Sequence, residues 1–185
     1  METKEQKIVN VAIKLFQRHG YRKVTMSDIA EGAEMSRPSL YASFENKESI
    51  FEALMRQHAE LNEAESLKQL TKKKNLRDRL DCLFDVWIIQ PVASVIDSEN
   101  GKELLANVAI YSPEGTNAIY SKFEAMLIDV LKPEITSKKG MSAQDLAHIL
   151  MLATKGLKAS TESLDELKRL VDGLISMAVA STGKN

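Results

Sequence analysis

The sequence predicts an all-α protein in which a small three-helix head precedes a larger helical region. Three observations carry this reading. Apolar residues recur at spacings of three and four along most of the chain. No stretch shows the period-two alternation of a half-buried strand. Helix-start signals, such as Thr25 three residues before Asp28 and Ser112 before Pro113, recur at helix-length intervals.

In the head, Ile8, Val11, Ala12, Leu15 and Phe16 share one face of a helix over 4–19, which Gly20 ends in a left-handed cap. Thr25 and Asp28 make a capping box that opens a short helix with Ile29, Ala30 and Ala33 inward. Ser36 is the next N-cap. Its helix runs to about Ser43 and tolerates Pro38 because first-turn N–H groups have no intrahelical partner; Leu40 points inward and Phe44 lies just beyond. Asn46 caps a fourth helix in which Ile50, Phe51, Leu54 and Met55 are apolar.

The polar run TKKKN, Thr71–Asn75, marks a domain boundary. Residues 1–50, with a connecting helix to about 70, form one domain, and 71–185 the other. Beyond the boundary, helices are predicted near 76–96, 101–110, 113–132, 143–158 and 162–181. Pro91 bends or ends the first of these, and Pro133 and Gly140 frame the loop before the fourth.

Composition excludes several classes. The 185 residues are 44% hydrophobic and 28% charged with a formal net charge of -1, so any affinity for nucleic acid has to be local. The single cysteine, Cys82, reads as a small buried hydrophobe and cannot form an internal disulfide. The charged start METKEQKIVNVA is unlike a signal peptide, and no apolar run approaches the roughly 18 residues that cross a bilayer, so a cytoplasmic protein without membrane contact is expected. There is no phosphate-cradling glycine loop, no nucleophile elbow and no cluster of metal ligands, so neither enzyme activity, cofactor nor metal is expected. Asp145 and His148, three apart on a helix, read as a surface ion contact rather than half of a metal site.

Two short helices joined by a tight turn, behind a packing helix, make a helix-turn-helix whose second helix enters the major groove. On that helix Arg37 offers a fixed charge to a phosphate or a guanine edge, and Pro38 an apolar contact to a thymine methyl. Ser39, Tyr41, Ala42 and Ser43 are small or hydrogen-bonding. Thr25, Ser27 and Lys47, at the starts of the flanking helices, are placed to hold phosphates. Similar helix pairs occur in proteins that bind no nucleic acid, and charge does not separate the cases, since Glu31, Glu34, Glu45 and Glu48 lie among Arg22, Lys23, Arg37 and Lys47.

The stretch VTMSDIAEGAEMSRPSLYASFENKESIFEAL resembles the amino-terminal signature of the tetracycline-repressor (TetR) family of bacterial transcription regulators. Thr25, Ile29, Ala30, Ala33, Ser36, Leu40, Tyr41, Phe44 and Lys47 match it at fixed spacing without a gap, and FQRHGYRKVT matches the segment before it. The resemblance spans residues 5–55. It implies that Tyr41 and Lys47 hold phosphates and that Arg37, Pro38, Ser39 and Ala42 face base edges. Glu34 departs from the pattern, standing where the family has a glycine in the turn; a left-handed glutamate costs about 1 kcal/mol. Met35 replaces the usual Val or Ile.

In the last two helices, Leu146, Ile149, Leu150, Ala153 and Leu157, then Leu164, Leu167, Val171, Leu174, Ile175 and Ala178, form apolar stripes. Such stripes serve either their own core or an association face. In the resembled family these helices pack against a two-fold mate, which implies a homodimer and a palindromic double-stranded operator. The family also encloses a small-molecule pocket, where a ligand weakens DNA binding by reciprocal coupling. The candidate lining is Leu83, Phe84, Trp87, Val108, Tyr111, Tyr120, Phe123, Met126 and Leu127, which suits a small apolar or aromatic effector and serves equally as ordinary core. The expected function is a repressor released by that effector. The alternative is a DNA-binding protein of the same family whose carboxy-terminal domain docks a protein partner.

Overall fold

A computed structural model describes residues 2–135 and 141–182; among them the chain is helical, with no strand. The helices are α1 (Lys4–His19), α2 (Met26–Gly32), α3 (Arg37–Tyr41), α4 (Lys47–Leu70), α5 (Leu76–Phe84), α6 (Gln90–Ala93), α7 (Glu99–Tyr111), α8 (Pro113–Leu131), α9 (Ala143–Ser160) and α10 (Leu164–Ser181). Gly140, expected to frame a loop, lies outside the described residues.

The predicted caps are present. Thr25 Oγ1 accepts the Asp28 N–H while the Asp28 carboxylate accepts the Thr25 N–H, both halves of a capping box. Ser36 Oγ accepts from Ser39 N, and Asn46 and Ser49 cap reciprocally. Gly20 ends α1 with φ 86, donating its N–H to Phe16. Pro91 has no N–H to give to the carbonyl four residues back, and the turn before it, Asp85–Ile89, widens to a π-helix.

The turn between α2 and α3 settles a point that the sequence left open. Glu34 has φ 55, so this non-glycine residue does adopt the left-handed conformation. Its N–H donates to Glu31 O at 2.9 Å and that of Met35 to Ala30 O at 2.9 Å, the pair of bonds of a Schellman motif. The carboxylate approaches Lys7 Nζ at 3.5 Å, but both groups are solvent-facing and such a pair contributes little.

By packing, the chain parts into two units: residues 1–59 with 95–119, and residues 60–94 with 120–185. The expected division at Thr71–Asn75 is therefore not where the packing divides: α4 and α8 each contribute to both units, and α7 counts with the head. The reason is a set of polar links between residues far apart in sequence. Asn100, at the start of α7, donates its side-chain amide to the carbonyls of Gln17 and Arg18 and so caps the end of α1. The Glu52 carboxylate accepts from Ser112 Oγ at 2.8 Å and Gly115 N at 2.6 Å, capping the start of α8. Tyr111 stacks on Tyr21 with centroids 4.0 Å apart, and Tyr21 also packs on Phe16 and Phe51.

The second unit is built on α5, the π turn, α9 and α10. Phe84, Trp87 and Phe123 pack together, and the Trp87 indole donates to the buried Ser66 hydroxyl at 2.9 Å. Arg77 ties α5 to α10 through Asp172 and Ser176. Cys82 is buried and free, and burial raises its thiol pKa.

Relieving the left-handed glutamate should stabilise the head. Glu34→Gly is expected to raise the melting temperature by about 2–4 °C, the equivalent of roughly 1 kcal/mol in a chain of this size. An unchanged or lower value in thermal denaturation would show that the turn carries no strain.

Candidate functional site

α3 turns one side inward and leaves the other free. Leu40 has 0% exposure, packed in a core with Phe16, Ile29, Phe44 and Ile50. Arg37, Pro38, Tyr41 and Ala42 are exposed, Tyr41 at 46%. Ser39 and Ser43 are half-buried at the edges of that face. Among the described residues the side chains of Arg37 and Tyr41 have no partner, so an arginine fork and a phenol are available to an outside acceptor. Lys4 Nζ reaches from α1 to the Ser39 carbonyl at 2.7 Å and steadies the helix.

The flanking residues are less free than their positions suggested. The Thr25 hydroxyl is engaged with Asp28 on both sides, accepting from its N–H and donating to its carboxylate. The Thr25 backbone N–H and then its hydroxyl, both donating to the Asp28 carboxylate, hold that carboxyl below its usual pKa. Ser27 is half-buried. Lys47 is the clearest correction. Its ammonium donates to Tyr21 O at 2.7 Å and Val24 O at 3.0 Å, and sits 4.3 Å from the Tyr21 ring centroid. Burial lowers its pKa, so this lysine is a strut across the α1–α2 loop before it is a phosphate contact. Its position at a helix start gave no sign of this; two carbonyls freed by the turn after Gly20 attract it.

The proposed effector lining also divides. Phe84, Trp87, Phe123 and Met126 are buried in the second unit, with Tyr120 half-buried beside them. Tyr111 belongs instead to the head, where its hydroxyl donates to Glu103 at 2.6 Å and accepts from Arg22. Val108 likewise packs on the head's core. The Trp87 N–H, expected as a polar handle, is already satisfied by Ser66. A cleft of about 680 Å³ lies on the head, lined by charges of both signs that include Arg18, Lys23, Asp28 and Glu31, and it involves none of the aromatic lining.

The carboxy-terminal stripes take the first of their two open roles. Leu146, Leu150, Leu167, Val171, Leu174, Ile175 and Ala178 are buried within the subunit. Ala153 and Leu164 are half-buried, and Ile149 is exposed at 46%. The same helices expose Leu152 and Met177. Periodicity marks an apolar face but not which of two neighbours it meets. His148 pairs with Glu124 at 2.9 Å rather than with Asp145, whose carboxylate accepts from Ser142 in an N-cap. Among the described residues no three metal-ligating side chains gather, and no helix is long and apolar enough to cross a membrane.

Comparison with known proteins gives this geometry a family. The model of "Bacterial regulatory proteins, tetR family" matches residues 8–54, the whole helix-turn-helix. The "Probable acrEF/envCD operon repressor" of Escherichia coli (strain K12) is 38% identical over 178 residues, covering 92% of this chain and 72% of that protein. An HTH-type transcriptional regulator of Bacillus subtilis (strain 168), YvkB, is 36% identical over 59 residues, and there the match spans 32% of this chain and 31% of that protein. The crystal structure of the transcriptional regulator FadR from Bacillus subtilis in complex with stearoyl-CoA superposes with a TM-score of 0.69 at 17% identity, covering 95% of this chain and 97% of that one. With the helix-turn-helix matched and a relative aligned along most of both lengths, the chain belongs to the tetR family of bacterial transcriptional regulators.

Proposed function

We propose that the protein is a cytoplasmic transcriptional repressor that grips a palindromic operator as a homodimer and lets go when a small molecule occupies its second unit. The single observation that carries DNA reading is the free face of α3: Arg37, Pro38, Tyr41 and Ala42 exposed on a helix whose Leu40 is fully buried. Arg37 supplies a charge for a phosphate or a bidentate pair for guanine, Pro38 and Ala42 allow close approach to base edges, and Tyr41 donates to a phosphate. Ser39 and Ser43 border that surface, with Thr25 and Ser27 behind it. Lys47 contributes by holding the α1–α2 loop in shape. The bound stearoyl-CoA of the FadR fold neighbour supports an effector over a docked protein, since it shows this fold holding a small molecule.

Homodimerisation fits the exposed side of α9 and α10. Ile149, Leu152 and Gly156 share one side of α9, and Gly173 and Met177 one side of α10. A Cβ added at Gly156 or Gly173 meets nothing within 4 Å, so the surface there is open to another backbone. Two-fold pairing of this side with its own copy would present two α3 helices to inverted half-sites. An effector that favours a spacing unsuited to both half-sites would release the DNA by its differential affinity for the two states.

Three outcomes are expected. Arg37→Ala and Tyr41→Ala each weaken binding to cognate DNA by about tenfold to a hundredfold with an unchanged melting temperature, whereas Lys47→Met lowers the melting temperature as well. If Arg37 meets a phosphate, its loss also reduces the slope of log affinity against log salt by about 1. Unaltered affinity in both alanine variants would refute the assignment of α3. Second, Leu152→Glu with Met177→Glu gives folded monomers in sedimentation, whereas Leu167→Glu disrupts the fold; a double variant that stays dimeric would remove the seam from this side. Third, a compound that raises the melting temperature in a thermal-shift screen also weakens DNA binding. Stabilising compounds that leave DNA binding intact would argue against release by an effector.

A further inference from the structure

The core-facing stripe of α9 runs through Ala147, Leu150, Met151 and Thr154, all buried. One more turn along the same stripe is Lys158. A lysine in that register is drawn toward the interior, and Lys158 is half-buried, with its Nζ 5.7 Å from the ring centroid of Tyr120 on α8. Lys155 brings its Nζ to 4.4 Å from the same ring. Two ammonium groups therefore converge on one tyrosine.

Among the described residues neither has an acid to balance it. None of the ion pairs among the described residues includes Lys155 or Lys158; in this unit Glu124 pairs with His148 and Glu63 with Lys122. The ring attracts a cation, but it does not offset the mutual repulsion of two cations or the partial loss of hydration of a half-buried one. Burial lowers the Lys158 pKa and raises that of the Tyr120 hydroxyl. Lys158 also lies in the last turn of α9, where the helix dipole favours positive charge only weakly.

The core of this unit is apolar, and it holds one unmet polar group. Tyr120 lies one turn before Phe123, which packs on Phe84 at 5.3 Å and Trp87 at 6.0 Å between centroids. Asn62 of α4, one turn before Ser66 and 9% exposed, has an amide Nδ2 without an acceptor among the described residues. A buried donor without a partner is uncommon in a folded chain.

We propose that the second unit binds an organic anion whose carboxylate or phosphate head is held by Lys155 and Lys158 at Tyr120. The proposal rests on the effector reading above and adds charge recognition to it. The anion supplies what the two ammonium groups lack, and binding is favoured because a cost already present in the free protein is removed.

Decanoate, decyl phosphate and decanol share one tail and differ in the head, and Trp87 is the chain's single tryptophan, so thermal shift and tryptophan fluorescence on the full chain test the idea. One or both acids should raise the melting temperature where decanol does not, and the acid that does so identifies the head. Lys155→Met and Lys158→Met should each weaken that binding by about tenfold or more. Without ligand, Lys158→Met should melt about 2–4 °C above the parent, because an unbalanced cation is gone while the apolar stem is retained. Equal stabilisation by decanol, or undiminished acid binding in both variants, overturns charge recognition and leaves a small-molecule effector standing. Silence of all three compounds overturns it as well, and a neutral hit in the compound screen then keeps the effector reading alive. A lower melting temperature for ligand-free Lys158→Met makes the lysine structural and equally overturns the proposal.

Discussion

Leu40 sits fully buried in a helix of five residues, and the face that helix offers to solvent is fixed by that burial. A helix so short has no stability of its own in water, because nucleation costs more than one turn returns. Burying one leucine contributes about 1.5–3 kcal/mol, enough to hold a single turn once its ends are tied. The ties are Ser36 at the start, Lys4 on the Ser39 carbonyl and the Schellman turn through Glu34 and Met35. Arg37 and Tyr41 are thus displayed by a helix whose position is set by its other side, and each can be altered without disturbing what holds the helix.

The head is larger than its helix-turn-helix. Asn100 closes the end of α1, Glu52 closes the start of α8, and Tyr111 stacks on Tyr21, so three polar or aromatic links join residues 99–115 to the first 59. The first two are contacts between a helix end and a side chain, the kind that has to be satisfied when backbone groups are withdrawn from water; the third is ring on ring. α4 and α8 each contribute residues to both units, so at those two points the division falls within a helix and not in a loop. α7 packs with the head and not with the second unit.

Local signals were legible in the sequence; partner choice was not. The span of α1, the capping box at Thr25, the cap at Ser36 and the start of α8 follow from residues within one turn of each other, and the structure shows them. Glu34 was half legible: the missing glycine marked the turn, but only the structure shows that the glutamate itself takes the left-handed conformation. Lys47 turning inward, Tyr111 joining the head and the carboxy-terminal stripes packing within the subunit were not legible. Each depends on an element distant in sequence, and periodicity says that a face is buried without saying by what. The π turn before Pro91 lies between these cases: the proline announced a disturbance, and its form depended on where the freed carbonyl could be tolerated.

The central claim is that two copies of α3 read DNA together. Selection of bound sequences from a random double-stranded pool by the full-length protein tests it directly. The account predicts enrichment of a pseudo-palindrome with two inverted half-sites, one or more helical turns of about 10 bp apart, as two symmetric recognition helices require. A single asymmetric motif, or no enrichment over the starting pool, would contradict it.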